Sequence, residues 1–201
     1  MGENMLTEYE LDVMGEVANI SMGNAATTLG MMVNRRVEIT TPTVSLINRS
    51  SALDDYDKTC FFVQIHYVKG VDGNNVLILK ERDVKVMTDL MMMGDGTNIP
   101  DELTELHLSA VSEAMNQMMG TAATSLSQFL EREIDISPPE VSSIDVESVK
   151  IFEKMFVDPS HMFVKISFRL TIEDLIDSTM VQLYPVPLAK SLCELFPSPE
   201  Q

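Results

Sequence analysis

The chain has 201 residues and a formal net charge of −17, so it lacks the basic surface that nucleic acid requires. It is 45% hydrophobic and 22% charged, an ordinary globular balance with enough chain for one core that buries roughly 70% of its unfolded surface. No apolar run reaches the roughly 18 residues of a membrane span, the N-terminus has no secretory signal, and Cys60 and Cys193 lie in apolar runs as buried, reduced thiols of a cytoplasmic protein.

Residues 1–6 read as a frayed end. Thr7 with Glu10 three positions on forms a capping box and opens a helix from about 8 to 31. Arg36 to Ile47 alternates as a strand, and Pro42 interrupts it, which makes it an edge strand or a bent one. Asn48 to Lys58 is a polar loop. Cys60 to Val68 and Val76 to Leu79 are strands on either side of Asp72-Gly73 and form a hairpin. Asp83 to Met92 is a short helix that ends at the Gly94-Asp95-Gly96 turn.

A second long helix follows from about 102 to 131, then a strand from Glu133 to about Ile144, bent at Pro138-Pro139. Met162 to Ile172 and Met180 to Tyr184 are strands, and Pro187 to Phe196 is a short helix. Val146 to Phe156 is ambiguous between helix and strand. The 16 methionines include runs at Met91–Met93 and Met118–Met119; at helical spacing they read as core filler, with a deformable partner surface as the other reading.

The order repeats because the chain is duplicated. Asp12-Val-Met-Gly-Glu16-Val-Ala-Asn19 and its continuation to Leu29 match Ser109-Ala-Val-Ser-Glu113-Ala-Met-Asn116 and its continuation to Leu126, without a gap, at an offset of 97. The match runs on to Pro42 and Pro139. It returns as Phe62 to Tyr67 against Phe163 to Phe168 at 101, and as Lys85, Met87 and Leu90 against Lys190, Leu192 and Leu195 at 105. The growing offset places insertions in the loops.

Each half is a helix, three strands and a helix, and neither half alone can cover both its strands and its helix face. The predicted fold is therefore α/β (α+β): one domain over 1–201, with repeats at about 7–95 and 101–197. The halves share a six-stranded antiparallel sheet about a pseudo-twofold, with the two long helices packed together.

Met14, Val17, Ala18, Met22, Ala25 and Leu29 form the buried stripe of the first helix. A second stripe reads Asp12, Glu16, Asn19, Gly23, Thr27, and its copy reads Ser109, Glu113, Asn116, Gly120, Thr124. Glu and Asn three apart share a face, with Cβ atoms roughly 5–6 Å apart. The residues alone leave two readings. A polar stripe is commonly a solvated face, and glycine commonly lets helices pack. Asn and Gly are nevertheless poor helix formers for such a face, and glycine at both equivalent places suits a partner that approaches the backbone closely.

The spacing Asp/Ser-x3-Glu-x2-Asn-x22-Pro, met as Asp12, Glu16, Asn19, Pro42 and as Ser109, Glu113, Asn116, Pro139, resembles the signature of the CheC, FliY and CheX family of chemotaxis phosphatases. The wording around it is most similar to the CheC-like middle domains of FliY-type flagellar switch proteins. The resemblance covers essentially the whole chain and implies the same pseudo-twofold fold.

The residues offer no self-contained active site. His66, His107 and His161 are scattered without ligand spacing, so no metal of the chain's own is expected, and His66 reads as a packed core residue within a strand. There is no phosphate loop and no nucleophile elbow. A carboxylate and a carboxamide on an exposed helix remain. Asn donates and accepts hydrogen bonds at once, so its natural task is to orient a water, which suffices in phosphoryl transfer. The metal and phosphate would then come with the substrate.

The resemblance implies that this substrate is phosphorylated CheY, which would supply Mg2+. By the matched positions, Asn19 and Asn116 would align water in the regulator's site, and Glu16 and Glu113 would pair with its lysine. Gly23 and Gly120 would admit close approach; Asp12 and Ser109 belong to the contact face without an assigned chemical role. Pro42 and Pro139 would shape the strand. Flagellar switch proteins are further expected partners, at the cytoplasmic face of the basal body. A non-catalytic CheY-binding or scaffolding module of the switch is the alternative, and a self-contained hydrolase with Glu16 or Glu113 as base is a third reading. The end of the chain, Phe196-Pro-Ser-Pro-Glu-Gln201, resembles the start of a linker, so both an excised middle domain and a stand-alone CheC-like protein fit.

Overall fold

The computed structural model describes residues 5–48, 51, 60–143, 150 and 162–196. Its elements, in order, are α1 (Glu8–Val33), β1 (Val37–Asn48), β2 (Cys60–Lys69), β3 (Gly73–Lys80), α2 (Glu81–Met91), α3 (Glu105–Leu130), β4 (Asp135–Ile136), β5 (Glu140–Ser143), β6 (Met162–Ile172), β7 (Ile176–Pro185) and α4 (Val186–Leu195). Val146 to Phe156 falls, apart from Lys150, outside the described residues.

α1 begins where its capping box places it, whereas α3 begins at Glu105, after the expected start near 102. Thr7 caps α1: the Glu10 N–H donates to Thr7 Oγ1 at 3.1 Å, and the Thr7 N–H donates to Glu10 Oε1 at 3.0 Å. In α3, His107 replaces that glutamate, and the Thr104 N–H donates to its Nδ1 at 3.1 Å. The end before α1 is not frayed throughout, because Leu6 is buried in the core. It stands at the position of a hydrophobic staple, with Leu11 at the partner position packed against the same core.

The sheet is antiparallel, in the order β1-β6-β7-β3-β2-β4, and β5 also pairs with β2. Among the described residues the expected six strands become seven, because the strand after α3 breaks at Ser137–Pro139 into β4 and β5, which share one edge. Proline has no N–H for the ladder. The equivalent place in β1 is a register shift between Thr40 and Thr43 against β6, a bulge in an edge strand. The side chains of Thr41 and Pro42 lie outside the described residues.

The order has a symmetry that the repeat alone does not show. The first strand of each half pairs with the second strand of the other half, and the two third strands, β3 and β7, meet at the centre. The halves are therefore interleaved.

The four helices among the described residues contribute to the main core on one face of the sheet, where Phe61, Val63, Ile65, Leu77 and Leu79 meet Met14, Met22, Met115 and Met118. Cys60, Phe62, Val76, Ile78 and Phe163 form a smaller cluster from the alternate strand positions. The methionines divide: Met14, Met22, Met87, Met115 and Met118 are fully buried, whereas Met93 is 94% exposed.

At the centre of the core lies a polar group. Gln182 Nε2 donates to Asn75 Oδ1 at 2.8 Å, and both side chains are buried. The Tyr67 and Tyr184 hydroxyls are hydrogen-bonded beside them, and burial pushes Tyr67 up to about 12.

Two sequence readings change here. His66 is exposed, facing Asn74 across the hairpin with an Nδ1 contact to Asn74 Oδ1. Near the turn, alternate residues of β2 point away from the helix layer, so strand membership does not bury it. Both cysteines are free, but only Cys60 is fully buried; Cys193 is half-buried, and burial still raises its thiol to about 11.

Candidate functional site

Asp12, Glu16, Asn19 and Gly23 are all exposed along α1, and Ser109, Glu113 and Asn116 are exposed along α3, with Gly120 half-buried. The buried stripes of the two helices hold them to the core, Met14, Val17, Ala18 and Met22 in one and Val111, Ala114, Met115 and Met118 in the other. The polar stripe is left facing outward in both copies.

Each Glu/Asn pair lines a hollow. The first is walled by Glu8, Leu11, Asp12, Gly15, Glu16, Asn19 and, from β1, Val44. The second is walled by Glu105, Leu108, Ser109, Ser112, Glu113, Asn116 and, between β4 and β5, Pro138 and Pro139. Six helix positions of the first hollow recur in the second at the repeat offset of 97. Just past the bulge within β1, Val44 Cγ2 lies 3.4 Å from where a Cβ on Gly15 would stand. Pro139 thus has a place in the wall of a site as well as in the shape of a strand.

The glycines face open space: a Cβ on Gly23 or Gly120 would meet nothing within 4 Å. Internal packing does not require glycine at either position. Gly120 also borders a polar groove between the long helices, together with Asn24, Thr28, Asn116, Thr121 and Ser125. Asn24 Nδ2 donates to Ser125 Oγ at 2.7 Å across this seam, and the Thr28 and Thr121 hydroxyls bond at 2.8 Å.

The electrostatics are one-sided. Glu8, Asp12 and Glu16 line the first hollow and Glu105 and Glu113 the second, with no Lys or Arg in either wall. Both present carboxylates, a surface that favours basic groups over acidic ones. The copies differ in one contact: Gln117 Nε2 donates to Glu113 Oε1 at 2.9 Å. The repeat mate of Gln117 is Ile20, so Glu16 has no corresponding bond.

The structure thus brings Asp12, Glu16 and Asn19 into one hollow and Ser109, Glu113 and Asn116 into another, and places Gly23 and Gly120 beyond them along the same helix faces. Sequence reasoning missed Glu8, Leu11, Glu105 and Leu108. All four were legible as repeat mates within about one turn before the motif residues Asp12 and Ser109. It also missed Val44 and Gln117, whose roles depend on the strand bulge and on a side-chain rotamer.

These motif segments match a family model described as the CheC-like family over residues 10–46 and 106–143. The crystal structure of Thermotoga maritima FliY is 41% identical, with a TM-score of 0.88, covering 96% of this chain and 98% of that one. The chain belongs to the CheC-like family. Its sequence is 44% identical over 187 residues to the flagellar motor switch phosphatase FliY of Bacillus subtilis, covering 93% of this chain and 49% of that protein. The chain therefore spans about half the length of that relative. The CheY-P phosphatase CheC of Bacillus subtilis is 24% identical, over 69% of this chain and 68% of that protein. The α/β fold of this CheC-like chain, with its shared antiparallel sheet, accords with that membership. Among its described residues, no helix is long and apolar enough to cross a membrane.

Proposed function

We propose that this CheC-like chain dephosphorylates the phosphorylated chemotaxis response regulator CheY at the flagellar motor switch, through two sites. The observation that carries the reading is the matched pair of hollows. Each holds one exposed glutamate and one exposed asparagine at the same helical spacing. The names of the two Bacillus relatives support the reading: one is a phosphatase of the flagellar motor switch, and the other is a phosphatase of CheY-P.

The chemistry follows from what the residues can do. Asn19 or Asn116 holds a water by donating and accepting at once, in line with the phosphorus of an aspartyl phosphate. The water's oxygen bonds to phosphorus, the P–O bond to the regulator's carboxylate breaks, and inorganic phosphate leaves. Glu16 or Glu113 pairs with the regulator's lysine and sets the approach. The regulator brings its own Mg2+. The work takes place at the cytoplasmic face of the flagellar basal body, beside other switch proteins.

The test follows loss of phosphate from a phosphorylated regulator with and without this chain. Acceleration that disappears when Mg2+ is chelated, while the chain keeps its thermal melt, is the expected result. An unchanged rate at saturating chain overturns the phosphatase reading and leaves a non-catalytic binding module. Turnover of a small phosphoester without a regulator replaces it with a self-contained hydrolase.

A further inference from the structure

One more pair of side chains follows the repeat. Tyr9 and Leu106 are related by the offset of 97 and are 46% and 66% exposed. Among the described residues they are the one pair of large exposed hydrophobics that the duplication relates. Scattered exposed apolar residues need no explanation, but these two are not scattered. Each stands one heptad before the glutamate and two before the glycine of its stripe: Tyr9, Glu16, Gly23 and Leu106, Glu113, Gly120. Seven residues are nearly two helical turns, so each falls on the face that carries the Glu/Asn pair.

The fold does not need them there. Each lies at the second position of its helix, whereas the staple positions are Leu6 and Leu11 in the first copy and Leu103 and Leu108 in the second. Leu11 and Leu108 line the two hollows, whereas Tyr9 and Leu106 stand outside that lining, about two turns before Glu16 and Glu113 on the glutamate side of each helix.

The geometry points to Tyr9 and Leu106 as the docking anchors through which each site holds its response regulator, an inference that rests on the phosphatase reading. The partner it fits is the phosphorylated regulator itself, bearing an apolar patch about 10 Å from the lysine that Glu16 or Glu113 engages and about 15 Å from the water at Asn19 or Asn116, at 1.5 Å per residue. The carboxylates of the hollows repel a negatively charged phosphoryl group, and an apolar contact two turns away supplies attraction without adding charge.

The experiment measures KM and kcat for regulator dephosphorylation by Tyr9→Ser, Leu106→Ser and the double variant. Burial of one such side chain is worth roughly a tenfold to hundredfold change in affinity. The double variant is expected to raise KM at least about tenfold, with kcat within twofold, and Tyr9→Phe with Leu106→Met to restore KM. An unchanged KM, or a fall confined to kcat, overturns the inference. Should the unsubstituted chain give no turnover, the phosphatase reading falls, and titration calorimetry with the regulator decides the anchors separately. Loss of binding in the double serine variant, with binding kept in Asn19→Ala with Asn116→Ala, supports them. Light scattering covers a second copy of this chain as occupant: a dimer that the serine changes dissociate, with KM unmoved, overturns the proposal.

Discussion

Leu77 faces Gln182 across the central ladder of the sheet, and Gln182 is also the residue 105 positions on, at the offset that relates the ends of the two halves. A residue paired with its own repeat mate marks where the pseudo-twofold crosses the sheet. The helix seam repeats the relationship. The bond from Asn24 to Ser125 and the one between Thr28 and Thr121 are mates at the offset of 97. They run α1 and α3 antiparallel and centre the crossing on Ala26 and Ala123, both buried. Alanine leaves the helices room to approach there.

Gln182 is a polar residue where symmetry would allow a leucine. Replacing it with leucine alone strands Asn75 Oδ1, its buried partner, and is expected to cost about 1–3 kcal/mol. Replacing Asn75 as well removes the orphaned group, so Asn75→Leu with Gln182→Leu is expected to recover most of the loss. Urea unfolding of the two variants checks this; a double variant no better than the single would show that the pair does not act as a unit.

The crossing also sets the separation of the sites. Asn19 lies seven residues to one side of Ala26, and Asn116 seven residues to the other side of the same point. At 1.5 Å per residue the two are roughly 20 Å apart along the helices, too far to act on one phosphoryl group. Asn19→Ala and Asn116→Ala are each expected to lower turnover in part. Together they should bring the rate near the regulator's own, since a lost positioning group typically costs about 10²–10³-fold. Stability should move by no more than about 0.5 kcal/mol per exposed change. Total loss of activity from Asn19→Ala alone would defeat the two-site reading.

The Gln117 bond makes the sites unequal. In the Asn19→Ala background, where only the second site works, Gln117→Ile should free Glu113 and lower KM. A helical i,i+4 pair is worth about 0.2–0.5 kcal/mol, so the change should be close to twofold. An increase in KM would mean that Gln117 itself touches the regulator.

Substitutions at Gly23 and Gly120 test folding and recognition separately. Each has open space at its Cβ, so Gly→Ala at either is expected to stabilise by up to about 1 kcal/mol through helix propensity. Gly23→Leu with Gly120→Leu should keep a cooperative melt yet weaken regulator binding, because the new side chains occupy the approach. Loss of the melt with intact binding in the folded fraction would assign the glycines to internal packing.

Asp83 supplies a pH test. Burial raises its carboxyl above the ordinary range, against a hydrogen bond from Ser178 and the charges of Lys80 and Arg82. A folded value above the unfolded value of about 3.9 makes the folded chain bind more protons between the two. The contribution of Asp83 is therefore fully present below that unfolded value and is lost as pH rises through the folded one. Asp83→Asn should be more stable than the parent chain at pH 7, with the advantage vanishing towards pH 3 in urea melts. An advantage that grows on acidification would reverse the sign.

The sequence by itself determined everything that depends on near neighbours. The period of Met14, Val17, Ala18 and Met22 specified the buried side of α1, and so left Glu16 and Asn19 outward. Thr7 and Glu10 specified where α1 begins, and Asp72-Gly73 the hairpin. The gapless repeat specified that Glu113 and Asn116 stand on α3 as Glu16 and Asn19 stand on α1. Tertiary structure decided which strand pairs with which. β1 finds β6 of the other half, and strand edges carry no address in a single strand's alternation. The same non-local pairing put Val44 and Pro139 in the walls of the hollows and set the two asparagines on opposite sides of one crossing. It also left His66 in solvent, because burial depends on what covers a face as well as on which strand a residue occupies.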